Sequence, residues 1–404
     1  MTRDNRLMTL ALFLWGAGEG LFLYILPLYM QQLGATPEEV GGVLALAAFL
    51  TACSFIPGGL LADHFDPKKV MIGGWVIGGV SSLMMGLAPN WAAFVPGVLI
   101  YNVSAYCIPA INSTIAEASG DAPLEHTITL TFAGYAAGSI LAPLIGGRLA
   151  DAIGTRWLFV IGGVIFAISL GVVLQIRRQP AHQDRSSQTP ALSLSARIIS
   201  LRPFIPFYAR LVLVVFAMMI GATLIANYLS VLGWSLGDVN SWGGTAQSMG
   251  MMLLAIGLGR LSAGRQRRGL LLGQGLVMLA LTMFLMTTPS LRVTAVAGYF
   301  LLGGIAPVRE LANAQIAGQV KAHVRGIALG VNETLFALGR SGAAAVAGIL
   351  FTLNIRLPLM VSLAMIPIGM AVIALSRAPA LPLEAEEIIV MASSSAVLID
   401  AVEE

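Results

Sequence analysis

The chain has 404 residues, 57% of them hydrophobic and only 11% charged, with 45 glycines and a net charge of +3. A soluble protein of this size carries about 25% charged residues, so these proportions exclude a water-soluble domain and point to a polytopic helical membrane protein. The bases are scattered over loops and give no nucleic-acid patch, and Cys53 and Cys107 lie inside apolar runs, which argues against a disulfide framework or a zinc site.

Arg3 and Arg6 precede an apolar stretch from Leu7 to about Leu33. It is too long for a signal-peptide core and lacks a small-residue cleavage site, and so reads as a retained first span. Further spans are predicted near 39–61, 70–88, 92–118, 127–147 and 157–176. A polar, arginine-bearing segment, 177–207, reads as a linker, with a short surface helix expected at Leu192–Ile199. Six more spans follow near 208–232, 241–263, 269–288, 293–319, 326–353 and 357–376, and an acidic tail, 377–404, closes the chain. The domains expected are thus a six-helix bundle over 1–176, the linker, a second bundle over 208–376, and the tail. With both termini cytoplasmic, fifteen Lys and Arg lie on the cytoplasmic side and four, Arg148, Arg156, Arg292 and Arg356, on the other, the asymmetry of a plasma-membrane protein.

Between the second and third spans stands Gly59-Leu60-Leu61-Ala62-Asp63-His64-Phe65-Asp66-Pro67-Lys68-Lys69. So short a turn joins two antiparallel helices on one face, and Gly59 is small enough to admit a close neighbour. The stretch resembles the loop signature of the major facilitator superfamily, Gly-x-Leu-Ala-Asp-Arg-x-Gly-Arg-Lys: Gly59, Leu61, Ala62, Asp63 and Lys68 fit, whereas His64, Asp66 and Pro67 depart from it. The resemblance implies an all-α fold of twelve transmembrane helices in two pseudo-symmetric six-helix bundles, with helices one, four, seven and ten around a central cavity. It also implies a gating role for Asp63, with Gly59, Lys68 and Lys69 in the same loop.

An internal repeat agrees. Asn112 to Ala116 recurs as Asn313 to Ala317, and Gly138 and Gly147 map on Gly339 and Gly348, all at an offset of 201. Such a repeat places a binding site at the midplane between the halves. In the fifth span Gly134, Gly138, Ala142 and Gly146 recur every four residues, a smooth face for helix packing, with Pro143 and Gly147 beside it. Pro143 frees a backbone carbonyl and allows a bend. This run resembles the fifth-helix signature of the superfamily's proton-coupled drug antiporters, with Ala142 for its second glycine; plain helix packing is the other reading. The fourth-helix arginine of those antiporters is replaced by Asn102, which leaves Glu19 with Arg309 as a substitute arrangement.

No enzyme constellation is present: Gly16, Gly18 and Gly20 lack a preceding strand, the four histidines show no metal-ligand spacing, and there is no Walker motif. No cofactor or metal is expected. Charges inside spans are the informative residues, since each costs at least ~2.5–3.5 kcal/mol at bilayer centre and must face water or a partner. Glu19 lies mid-span without an obvious cation, its neighbours Gly18 and Gly20 leaving room for water or ligand. Arg309 and Glu310 lie mid-span in the tenth helix, and Glu333 and Arg340, seven residues apart on one face of the eleventh, are expected to form a buried ion pair. Glu19, Tyr24, Asn102, Tyr106, Asn227, Arg309, Glu310 and Asn313 are the polar residues expected near the cavity.

The function expected is secondary active transport, with proton-coupled efflux of small apolar or amphiphilic compounds by alternating access as the leading form. Uptake of a small polar or anionic solute, anchored by Arg309, is the alternative within transport; a transport-inactive adaptor or sensor is the alternative outside it. The partners expected are a small-molecule substrate, protons and the lipid bilayer, with the chain a monomer.

Overall fold

The computed structural model describes residues 2–118, 124–177, 201–262, 266–320 and 322–375. The linker helix expected at 192–199 and the tail lie outside them. Eleven helices are long and apolar enough to cross a membrane. In chain order they are α1 (Arg3–Gln32), α2 (Pro37–Ala62), α3 (Pro67–Leu87), α4 (Trp91–Ala118), α5 (Leu130–Ile153), α6 (Arg156–Leu174), α7 (Arg202–Val231), α9 (Arg267–Leu285), α10 (Arg292–Ala317), α11 (Ile327–Leu353) and α12 (Leu357–Leu375). The remaining span, α8 (236–261), is composite: a short turn, Leu236–Asp238, then a π-helical segment, Val239–Gly244, then the α-helix Thr245–Leu261. Helix α5 begins earlier, at Leu124, and its last turns include Arg148, which the sequence pattern assigned to a turn.

Local sequence fixes the helix ends. Thr36 accepts from the Glu39 amide while the Glu39 carboxylate accepts from the Thr36 amide, and Pro37 occupies the first helical position. Ser235 and Asp238 build the same reciprocal cap at the start of α8. Each cap follows a glycine in the left-handed region, Gly34 at φ 101° and Gly233 at φ 85°. In each turn the next amide reaches back five residues, Ala35 to Met30 and Trp234 to Leu229, both at 3.1 Å. The two halves therefore repeat one helix stop and one helix start, 199 residues apart.

The helices numbered one, four, seven and ten share a different property: all are broken. α1 is interrupted between Gly20 and Leu23, α4 by the 3-10 turn Ser104–Cys107, α7 between Ala222 and Ile225, and α10 between Leu302 and Ile305. Pro27, Pro109 and Pro307 stand just past three of these breaks, where each lacks the amide that would bond four residues back. In membrane proteins, breaks of this kind are tolerated only where the backbone is enclosed by protein or lines a cavity. Broken helices at matching positions of two halves mark the midplane site of transporter folds.

Small residues set how the halves meet. A Cβ added at Gly147 would strike Ser241 and the Gly237 carbonyl of α8, and one at Gly348 would meet Pro37 and Gly41 of α2. The residues paired by the internal repeat thus seat equivalent contacts on opposite sides of the molecule. The other pair of the repeat, Gly138 and Gly339, packs on α1 and α7 in the same way. The described side-chain hydrogen bonds between the halves all lie between mid-depth and the face away from the chain termini. The molecule is latched on that far face. Replacing Gly147→Val would overpack the latch by about 1–3 kcal/mol, a roughly 5- to 150-fold shift toward states open there. Labelling of cysteines placed on the two faces checks this, with increased reactivity at the far face expected.

Candidate functional site

Glu19 sits one residue before the break of α1, and its Oε2 accepts a 2.8 Å hydrogen bond from the Tyr135 hydroxyl of α5. Tyr101 of α4 faces the same carboxylate. No cation pairs with Glu19 among the described residues. Gly18 and Gly20 do not leave room beside it, contrary to the sequence expectation. A Cβ at Gly18 would collide with Phe166, and one at Gly20 would press on Ala142 and Pro143. They are contact points that draw α1 against α6 and α5. Behind the carboxylate an aromatic wall forms where Trp15 stacks on Phe166 at 4.2 Å and on Tyr101 at 6.3 Å, with Trp75 edge-on at 5.0 Å.

Across the cleft the charges gather on α10 and α11. Arg309 Nε lies 3.0 Å from Oε1 and 2.9 Å from Oε2 of Glu333. Asn313 Nδ2 donates to Glu333 at 2.8 Å, and Asn332 Nδ2 donates to Asn313 at 2.6 Å. The expected Glu333–Arg340 pair is not formed: Glu333 turns to α10 because Arg309 and Asn313, one turn apart, present two donors to a single carboxylate. Glu310 lies 3.9 Å from Arg309 and its side chain is 64% exposed. Since α10 packs on α8, α9 and α11, this exposed face looks into the cleft. Tyr135 lies within electrostatic range of Arg309. The second half's ion pair thus lies within electrostatic range of the phenol that holds the first half's carboxylate.

The other expected cavity residues have structural duties. Tyr24 and Ser248 share a 2.6 Å hydrogen bond, and Ser248 donates to the Ser139 carbonyl at 2.9 Å. That carbonyl is the one Pro143 leaves without its helical donor. The proline of the fifth helix therefore frees an acceptor that a serine of the other half takes up. Asn227 donates to the Pro27 carbonyl and to Gln31, closing the far face. Asn102 bonds its own helix at Val98 and accepts from Thr51 of α2. Tyr106 turns away from the cleft, its hydroxyl donating to the Val70 carbonyl of α3 and its ring packing by Gly73. The small-residue stripe faces α1 at Gly134 and Gly138, meets Gly20 at Ala142, and reaches α8 at Gly146 and Gly147.

In the loop between α2 and α3, the Asp63 side chain lies outside the described residues, and Lys69 is exposed. Gly59 faces open space, with no neighbour seated on it; Gly58 instead packs on Tyr106. Lys68 Nζ donates to the carbonyls of Leu174, at 2.7 Å, and Ile176, capping the end of α6. Asp66, where the superfamily signature has glycine, caps α3 by accepting from the Lys68 amide at 2.9 Å. Sequence reasoning missed Tyr135, Tyr101 and Ser248. Tyr135, the only tyrosine of its helix, adjoins Gly134 of the stripe, and that adjacency was the one available signal.

These features, broken midplane helices around a partly buried carboxylate and ion pair, define a membrane transporter. Residues 8–344 match the family model described as Major Facilitator Superfamily, and the chain belongs to that superfamily. The multidrug resistance efflux pump PmrA of Streptococcus pneumoniae is 27% identical over 210 residues, 48% of this chain and 51% of that protein. The quinolone resistance protein NorA of Staphylococcus aureus is 31% identical over 168 residues, 40% of this chain and 42% of that one. The chain thus spans about half the length, or less, of the curated relatives it matches. Among solved structures, the nucleoside transporter NupG aligns with TM-score 0.75 at 15% identity, over 92% of this chain and 98% of that one. A bacterial homologue of the lysosomal transporter Spinster, inward-facing and occupied, aligns with TM-score 0.69 at 14% identity, over 92% and 95%. At such identities the likeness is one of fold.

A buried pair that loses one member leaves an uncompensated charge, at about 3–5 kcal/mol when fully buried. Arg309 is 41% exposed, so about 1–3 kcal/mol is expected for Arg309→Met or Glu333→Met alone. The double variant should recover most of the loss. Thermal unfolding of the purified chain, run as a double-mutant cycle, checks the coupling.

Proposed function

We propose that the chain exports small apolar or amphiphilic compounds in exchange for protons by alternating access. It does so as a monomer in the plasma membrane, with both termini cytoplasmic. The observation that carries the reading is Glu19, a partly buried carboxylate in a membrane-spanning helix beside its break, held by a phenol and, among the described residues, by no cation. A carboxyl group shut away from water favours its neutral form, and one opened to water releases the proton. Exposure to opposite sides in the two states then carries a proton across. Where substrate and proton overlap they compete, which is the physical basis of exchange.

Three further points support it. The relatives named above are a multidrug efflux pump and a quinolone resistance protein. Trp15, the partly exposed member of the aromatic cluster, offers an apolar face to an aromatic or aliphatic body. Arg309 is already engaged by Glu333, so it is not free to anchor an anionic solute for uptake. The excess of Lys and Arg on the terminal side supports the orientation, which makes the far-face latch an extracellular one. Asp63, with its loop, is the proposed gate on the cytoplasmic side.

In proteoliposomes with an imposed pH gradient, Glu19→Gln should abolish concentrative transport of an amphiphilic dye and leave dye binding within about twofold of wild type, since the amide mimics the protonated carboxyl without titrating. Persisting concentration of dye by Glu19→Gln under a pH difference alone would move the coupling site to Glu310. For the gate, Asp63→Asn should lower flux and shift the labelling of cysteines on the two faces while insertion is unchanged.

A further inference from the structure

Arg340 has no ion-pair or hydrogen-bond partner among the described residues, although it lies in the middle of α11. Its position is not the surface. Ile349 and Leu338, both exposed, lie nine residues after it and two before it, so the lipid-facing side of α11 is close to 180° away. Ser341, the next residue, donates to the Ala45 carbonyl of α2, and Gly339, the one before, packs on Val215 of α7. Between these two contacts Arg340 points inward, on the face it shares with Glu333. Its charged neighbours are Arg309 and Glu333. The Glu333 carboxylate is taken by Arg309 and Asn313. Arg340, half-buried as a residue, is thus the second cation beside a carboxylate already occupied.

A guanidinium does not neutralise itself by losing a proton, so an unpaired one in a bilayer keeps its full cost unless an anion or water reaches it. Its planar fork matches two oxygens of a carboxylate. Phe336, one turn back on the same side, is buried in the core and makes the surroundings of the charge apolar. We infer that Arg340 is a substrate-binding residue that takes the carboxylate of an amphiphilic acid, whose apolar body lies on the aromatic and aliphatic surface of the cleft. The assignment rests on the export reading for its physiological meaning and narrows the substrates from amphiphiles in general to amphiphilic acids. It also separates two roles that the sequence had merged: Arg309 is bound to Glu333, whereas Arg340, on the next helix, has no partner among the described residues.

Equilibrium binding to the purified full-length chain tests this without relying on flux. The probes are 1-naphthaleneacetate and its neutral isostere 1-naphthaleneacetamide. Wild type should bind the acid more tightly than the amide by about tenfold or more, the range of a charge-assisted hydrogen-bonded contact. Arg340→Gln should remove that preference and leave amide binding unchanged, which also certifies that the variant is folded. Arg340→Lys, a point charge without the fork, should keep part of it. Equal binding of both probes by wild type, or an equal loss of both in Arg340→Gln, overturns the inference. Failure of the export reading would appear elsewhere, as acid that binds but is not moved by any imposed pH gradient.

Discussion

A bilayer supplies no water to a backbone carbonyl, so each break in a membrane helix must be answered by protein. Pro143 leaves the Ser139 carbonyl without its own amide, and Ser248, from the other half of the molecule, answers it, held in turn by Tyr24. The consequence reaches beyond one bond. A proline placed in a packing helix becomes an attachment point between bundles that separate in the proposed alternating access. Asn240 on the Leu21 carbonyl, beside the break of α1, repeats the device one turn closer to the far face.

The strength of such attachments decides whether the fold can move. Seven side-chain hydrogen bonds join the halves among the described residues, each worth about 0.5–1.5 kcal/mol net of water. Their sum is several kcal/mol, the order of the about 5.5 kcal/mol that carries a two-state equilibrium from 1:99 to 99:1. The glycine contacts at Gly147 and Gly348 bring backbones together without adding large apolar side chains to the interface. A latch of neutral hydrogen bonds and small residues is therefore firm enough to close and weak enough for a ligand to open.

The membrane class, the spans and the repeat were legible in the sequence because a bilayer imposes length and polarity on every segment. The charged groups of the candidate site were legible for the same reason: Glu19, Arg309, Glu310 and Glu333 stand out as charges where charges are costly. Partner choice was not legible. Spacing on α11 suggested Glu333 with Arg340, but side-chain pairing is settled by donors on another helix, Arg309 and Asn313, 24 and 20 residues away. Gly18 and Gly20 misled in the opposite sense: in sequence a missing side chain reads as empty space, whereas in the fold Phe166 and Ala142 fill it. Tyr135 stayed hidden because the contact that matters joins positions 116 residues apart.

The placement of charge carries a last consequence. Glu19 belongs to the first half, and Arg309, Glu333 and Arg340 to the second, with Tyr135 reaching between them. Coulomb energy in a poorly solvated cleft changes steeply with distance and hydration, so parting the halves on either face alters the field at every one of these groups. Under the proposed exchange, a proton on Glu19 and a ligand at Arg340 need not touch to influence each other; each favours the arrangement of the halves in which its own charge is best solvated. In the proposed exchange, coupling follows from one moving boundary between water and protein that passes both groups.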